Sequence, residues 1–383
     1  MGIDTGILFQ PFETGGLHLR NRIVMAPMTR NFSPGGIPSD GVAAYYRRRA
    51  EADVGLIVTE GIGVDHPSAL GQESMGGGAS PVLHGDAALA KWREIVAGVH
   101  QAGGVIVPQL WHQGVIRVPG TGYHPEVPSA RPSGIWGPFD GAMVPPDYLQ
   151  LVREPTAPLT ENEIADIIAA FARSAANAKA VGFDGVALHG AHGYLIDSFL
   201  WAQTNLRDDG WGGDGPSRAR FAAEVVRAVR AATAPDFPII FRFSQWKLQD
   251  YGARNVATPA ELEAMLAPIV DAGVDIMDVS TRIWSTPAFE GSDLSLAGWV
   301  KKLTGKPAIA VGGVGLSKDL QSSFAQPTVM TNNLPLVAER LASGEFDLVG
   351  VGRALLMDPH WVQRMRSGTE VSPFRLEAYA SLY

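Results

Sequence analysis

Short apolar runs alternate along the chain with longer stretches in which apolar residues recur every three to four positions. That is the βαβ rhythm of a parallel sheet. Eight runs read as strands, near 23–26, 56–59, 105–110, 185–189, 239–243, 275–279, 308–311 and 348–351. Most are apolar on both faces, as parallel strands covered by helices must be. Between them, 86–102 carries Leu89, Trp92, Ile95, Val96 and Val99 at helical spacing. Thr160 with Glu163 forms a capping-box pattern that opens a helix over 161–181. Thr258 with Glu261 opens another that runs to Ala272, with Pro259 at its permitted first position. Helical patterns at 217–232 and 334–343 complete the clearer set.

Two stretches break the rhythm. Residues 117–158 are rich in Pro and Gly, with Trp136, Phe139 and Tyr148 scattered through them. The stretch is too long for an ordinary loop and predicts a hairpin or lid over a barrel mouth. Residues 1–22, with Gly15 and Gly16 at a turn, read as a short hairpin closing the floor. The expected architecture is α/β: one (β/α)8 TIM barrel domain over 1–383, with an N-terminal hairpin and a long capping insertion after the third strand. A doubly wound sheet is the alternative. Glycine turns of the phosphate type on the last two strands favour closure.

Composition narrows the chemistry. Of 383 residues, 46% are hydrophobic and 18% charged, enough to bury a large core. The net charge of −8 and pI near 5.6 argue against a nucleic-acid partner and favour a small-molecule substrate. The chain contains no cysteine, which excludes disulfides, iron–sulfur clusters, thiolate zinc sites and a cysteinyl flavin bond. The first eight residues lack the pattern of a signal peptide, and no apolar run reaches the roughly 18 residues of a membrane span. A cytoplasmic location without a membrane partner is expected, and a homo-oligomer is possible.

In a barrel, chemistry gathers where strands end. At the predicted exits stand Thr29, Gly61, Gln109, His189, Arg242, Ser280, Gly312 with Gly313, and Gly352 with Arg353. The strings Val311-Gly312-Gly313-Val314-Gly315 and Val349-Gly350-Val351-Gly352-Arg353 offer bare backbone and a guanidinium to an anion. Otherwise the glycines only make turns and Arg353 forms a structural ion pair. In His189-Gly190-Ala191-His192-Gly193-Tyr194, two imidazoles could donate to one carbonyl oxygen while a phenol delivers a proton. The alternatives are a structural histidine pair or a metal site. No third histidine or nearby carboxylate completes a ligand set, so no metal is expected. Arg242, between Phe241 and Phe243, needs a partner: a reduced flavin, or Asp184, Asp275 or Asp278. Gln109 can donate and accept at once, which suits a pyrimidine edge.

These residues belong to strings that resemble the old yellow enzyme family across nearly the whole chain. The strings are Asn21-Arg22-Ile23-Val24-Met25-Ala26-Pro27-Met28-Thr29-Arg30, Val58-Thr59-Glu60-Gly61, Gln109-Leu110-Trp111-His112, His189 to Leu195, Asn205-Leu206-Arg207-Asp208-Asp209-Gly210-Trp211-Gly212-Gly213 and Gly350-Val351-Gly352-Arg353. The resemblance implies non-covalent FMN reduced by NADH or NADPH, followed by reduction of an electron-poor alkene at the same site. Ala26, Pro27, Met28, Thr29, Gly61 and Gln109 would hold the flavin, with Thr29 on its O4. Arg242 would face N1 and O2, and Gly312, Gly313, Gly352 and Arg353 would hold the phosphate. His189 and His192 would polarise the substrate carbonyl, and Tyr194 would protonate the α-carbon. Trp211 stands where a tyrosine is expected, and the stretches 117–158 and 280–298 match no assigned piece. A flavin enzyme oxidising C–N bonds, of the N-demethylase type, is the alternative, and Tyr194 favours alkene reduction. A flavin-free barrel acting on an anion would leave Gln109 and Thr29 without a task, and a non-catalytic binding barrel explains least.

Overall fold

The protein is described by a computed structural model at residues 5–72, 79–140, 142, 144–325 and 328–383. Eight parallel strands close into a barrel: β1 Ile23–Met25, β2 Leu56–Gly63, β3 Ile106–Trp111, β4 Val186–His192, β5 Ile239–Lys247, β6 Ile276–Ser280, β7 Ala308–Val311 and β8 Leu348–Val351. Each strand pairs with its neighbour in sequence, and β8 closes on β1 with Val351 beside Met25. All eight predicted strands are present. Three are longer than the apolar runs predict, because polar residues continue the ladder beyond the core in β2, β4 and β5.

The barrel interior follows from the two-residue period of a strand. Val24, Leu56, Val58, Val107, Ala187, Ile240, Ile276, Ile309 and Leu348 form one buried cluster at its lower end. Leu17 and Leu19 of the N-terminal hairpin, Phe12–Thr14 paired with Leu17–Leu19, join this cluster and plug the floor. The turn between the two strands is Gly15-Gly16, both at positive φ. Residues 1–4 of the predicted hairpin region lie outside the described residues.

Both capping boxes form. Thr160 accepts from the Glu163 amide and opens Glu161–Val181, and Thr258 accepts from the Glu261 amide and opens Pro259–Asp271. The pattern at 217–232 resolves into two helices, Gly215–Arg218 and Arg220–Ala232, the first capped by Asp214.

Of the hairpin and the lid that its length suggests, the 117–158 excursion does not form the hairpin. Its described residues contain no strand, only the helix Pro146–Val152 and irregular backbone. Buried arginines take the place of a ladder. The Arg117 guanidinium donates to the carbonyls of Leu70, Thr121, His124 and Val127, and Arg131 donates to those of Val152 and Glu154. Each buried charge thus satisfies carbonyls that a pleated strand would have paired. Arg207 ties the excursion to the barrel, donating to the carbonyls of Pro132 and Leu159 while its other nitrogens hold Asp209. The Asn205–Gly213 string is therefore a clamp. Trp211 is packed within it beneath the Arg220 guanidinium, 4.2 Å from its ring centroid.

Candidate active site

The strand period that buries the lower layer carries polar side chains into the layer above. Two residues beyond Val107, Ala187, Ile240 and Ile276 come Gln109, His189, Arg242 and Asp278, all buried. Register aligns them around the barrel: Gly61 beside Gln109, His189 beside Arg242, and Arg242 beside Asp278. The sequence leaves open what balances Arg242. Asp278 does so in part, accepting from Arg242 Nε at 2.7 Å. One nitrogen, Nη2, is left buried without a hydrogen bond, as is Gln109 Nε2 in the same layer. Buried donors are costly unless satisfied. These two fit the acceptor-rich edge of a flavin pyrimidine.

His189, His192 and Tyr194 converge. Ring centroids lie 5.0 Å apart for His189 and His192 and 4.8 Å apart for His189 and Tyr194. Trp111 walls the cluster, its ring edge-on to Tyr194 at 5.0 Å. The turn that the glycines suggest is a bulge within β4. Register slips between Gly190 and His192, and His192 takes a left-handed φ of 66°. Gly190 is required there, since a Cβ would lie 2.3 Å from the Phe241 ring. A bulge re-aims side chains, and here it brings the His192 imidazole and the Tyr194 phenol beside the His189 ring.

The bulge is held by a buried network. Ser244 Oγ accepts from the His192 amide at 2.9 Å, and Asp197 Oδ2 accepts from the Gly193 amide at 2.7 Å. The other Asp197 oxygen pairs with Lys247 Nζ at 2.7 Å, both side chains fully buried, and accepts from Asn255 Nδ2. Burial raises the Asp197 carboxyl and lowers the Lys247 ammonium from their ordinary values, and each partly offsets this for the other. The His192 ring stacks on Trp246 at 4.2 Å, and its Nε2 is 2.8 Å from Ser280 Oγ. Burial holds both imidazoles well below the ordinary histidine range. Arg242 adds to this for His189, and His189, Arg242 and Lys247 add to it for His192. Both rings are neutral near pH 7, each with one N–H to donate.

At the β7 and β8 exits the glycines serve two purposes. A Cβ on Gly312 would lie 2.5 Å from the Thr281 carbonyl oxygen, so close packing requires this glycine, and Gly313 has a φ of 71°. Gly352 faces Met28 and Ala26, bringing the loop after β1 beside the β8 turn. Arg353 donates to the carbonyls of Lys318 and Asp319, at 2.6 Å from Nη2 and 3.3 Å from Nη1. Thr29 is exposed at the mouth, on a loop held from below by Glu60, whose carboxylate accepts from the Arg30 amide at 2.8 Å. Burial raises that carboxyl from 4.5 to about 7. His112 is structural: its Nδ1 accepts from the Gly114 amide and its Nε2 meets Ser68.

Asp197, Lys247 and Trp246 have no motif that points to them. The available signal was a lysine and an aspartate inside otherwise apolar segments, which demand partners. Among the described residues no group of three metal-ligating side chains occurs, and no helix is long and apolar enough to cross a membrane.

Unpartnered interior donors beneath a histidine–tyrosine cluster, at the C-terminal mouth of a closed barrel, define a (β/α)8 barrel of the flavin-binding class. The model of the NADH:flavin oxidoreductase / NADH oxidase family matches residues 7–371, and the chain belongs to that family, in agreement with the old yellow enzyme resemblance of its motifs. Members of the family bind FMN and use NAD(P)H. The chain is 33% identical over 376 residues to an NADH oxidase of Thermoanaerobacter brockii, covering 95% of this chain and 51% of that protein. It is 31% identical over 360 residues to an NADPH dehydrogenase of Clostridium acetobutylicum, covering 93% of each. It thus spans about half the length of some curated relatives and nearly all of others. The solved structure of morphinone reductase in complex with tetrahydroNAD superposes with a TM-score of 0.78 at 25% identity, covering 97% of this chain and 93% of that one.

Proposed function

We propose that the protein reduces activated C=C bonds of α,β-unsaturated carbonyl compounds and nitroalkenes at the expense of NADH or NADPH, the two substrates using one site in turn. The observation that carries this reading is the convergence of His189, His192 and Tyr194 over a layer of unpartnered donors. FMN, when bound, supplies the hydride relay between nicotinamide and alkene. Gln109 and Arg242 would hold its pyrimidine edge, Ala26–Thr29 and Gly61 its ring, and Gly312, Gly313, Gly352 and Arg353 its phosphate. The two neutral imidazoles would donate to the carbonyl oxygen and draw electron density from the β-carbon. Tyr194 would give a proton to the α-carbon and recover it from solvent. Each turnover consumes one NAD(P)H and one proton and saturates one double bond.

The test is anaerobic turnover. Protein purified with FMN is expected to oxidise NADPH or NADH only when 2-cyclohexenone is added, with cyclohexanone formed in equal amount. A protein that takes up no FMN, or that holds FMN and forms no cyclohexanone, overturns the reading.

A further inference from the structure

The stretch 280–298, which no motif explains, builds a cleft beside the histidines. It has a volume of about 230 Å³ between the end of β5 and the loop after β6, and Trp246, Tyr251, Ser280, Arg282, Ile283 and Ala288 are among its walls. Trp246 and Ser280 both line the cleft and both touch the His192 imidazole, so the cleft opens directly off the site. It is smaller than a pocket for a whole ligand, which typically has about 300 Å³ or more. Part of a ligand fits, roughly a benzoate.

One wall is a continuous stack. The His192 ring lies on Trp246 at 4.2 Å with planes 23° apart, Trp246 lies on Tyr251 at 5.5 Å and 30°, and the Arg282 guanidinium sits 4.1 Å over the Tyr251 ring. Rings stacked in this way cover one another's faces, so the column offers the cleft a run of ring edges from the imidazole outwards. The far end is cationic. Arg282 uses Nη2 on Asp319 and Gln321, and its Nη1 is buried without a hydrogen bond. Trp246 Nε1 is a second buried donor in that state. Asp319 balances the Arg282 charge. Arg254, also lining the cleft, is exposed and donates to the Ala288 carbonyl, with no carboxylate paired to it among the described residues. Asp250, close before it in sequence, accepts from the Gly252 amide. One positive charge and two unpartnered donors remain for a ligand.

We propose that this cleft is an anion-reading subsite, selecting enones that carry a carboxylate at the end remote from the alkene. The proposal rests on the alkene-reductase reading of the neighbouring site. A nicotinamide phosphate could supply the same anion, and the measurements separate the two sources.

The probes are 4-(4-carboxyphenyl)but-3-en-2-one and its methyl ester, each at saturating NADPH, with 2-cyclohexenone alongside. The wild-type holoenzyme is expected to favour the acid over the ester in kcat/KM by at least about tenfold, the scale of one charge-assisted hydrogen bond. In Arg254→Met, which removes the one unbalanced charge of the cleft and leaves the Arg282–Asp319 pair intact, that ratio should fall to within about twofold of one. A wild-type ratio near one, with cyclohexenone reduced, overturns the subsite and leaves the reductase reading standing. No cyclohexenone reduction removes the reductase reading itself. A variant that retains the ratio while slowing flavin reduction by NADPH assigns the anion to the nicotinamide and overturns the substrate assignment.

Discussion

On the proposed function, Tyr194 separates the two half-reactions. Its ring lies edge-on to Trp111 and beside His189, and it is the phenol of the cluster. Accepting hydride from nicotinamide needs no proton from this residue, whereas saturating an enone does. Tyr194→Phe should therefore leave flavin reduction by NAD(P)H nearly intact and slow reoxidation by cyclohexenone by roughly 10²-fold or more, the usual worth of a positioned general acid. Stopped-flow absorbance near the flavin maximum follows both steps. Equal slowing of both would point to disturbed packing against Trp111, and no slowing would remove Tyr194 from proton delivery.

At the scale of elements, the bulge in β4 is a strained feature maintained by its neighbours. A histidine at positive φ persists only where the surroundings over-determine it, and Ser244, Asp197 and Lys247 do so from β5 and the helix Leu195–Leu200. Removing one member of a fully buried ion pair leaves an uncompensated charge, at a cost of about 3–5 kcal/mol. Lys247→Met should lose stability on that scale in urea unfolding, and Asp197→Asn in the same chain should recover most of it. If the single variant unfolds like wild type, the pair does not hold the bulge.

Stability against pH belongs to the whole molecule, and Glu60 is its clearest handle. Buried beneath the loop after β1, its carboxyl titrates near 7 in the fold against 4.5 when free. Between those values the folded chain keeps a proton that the unfolded chain has lost, so stability falls as pH rises through this window. The full cost above pH 7 is on the order of 3 kcal/mol. Glu60→Gln, which keeps an acceptor for the Arg30 amide, should melt higher than wild type at pH 8 and show a flatter Tm between pH 5 and 7. An unchanged slope would mean that Glu60 is ionised throughout.

Periodicity alone determined a great deal of this protein. The eight strands, the two capping boxes and the floor hairpin are local patterns, and local patterns are written in adjacent residues. The polar exits were legible too, because a Gln, His or Arg that continues an apolar strand stands out against it. What only the tertiary structure decided depends on residues far apart in the chain. Asp278 rather than Asp184 or Asp275 meets Arg242, because β5 and β6 register places it there. Asp184 instead caps the Ile106 amide, and Asp275 the Ile239 amide, both at strand starts. Side-chain arginines organise the 117–158 excursion by reaching carbonyls that no period announces. Trp246 meets His192 only because both strands outrun their apolar cores. A pattern of spacing records which face a side chain takes. Closure of the barrel, set by backbone register across strands, decides which side chain it meets there.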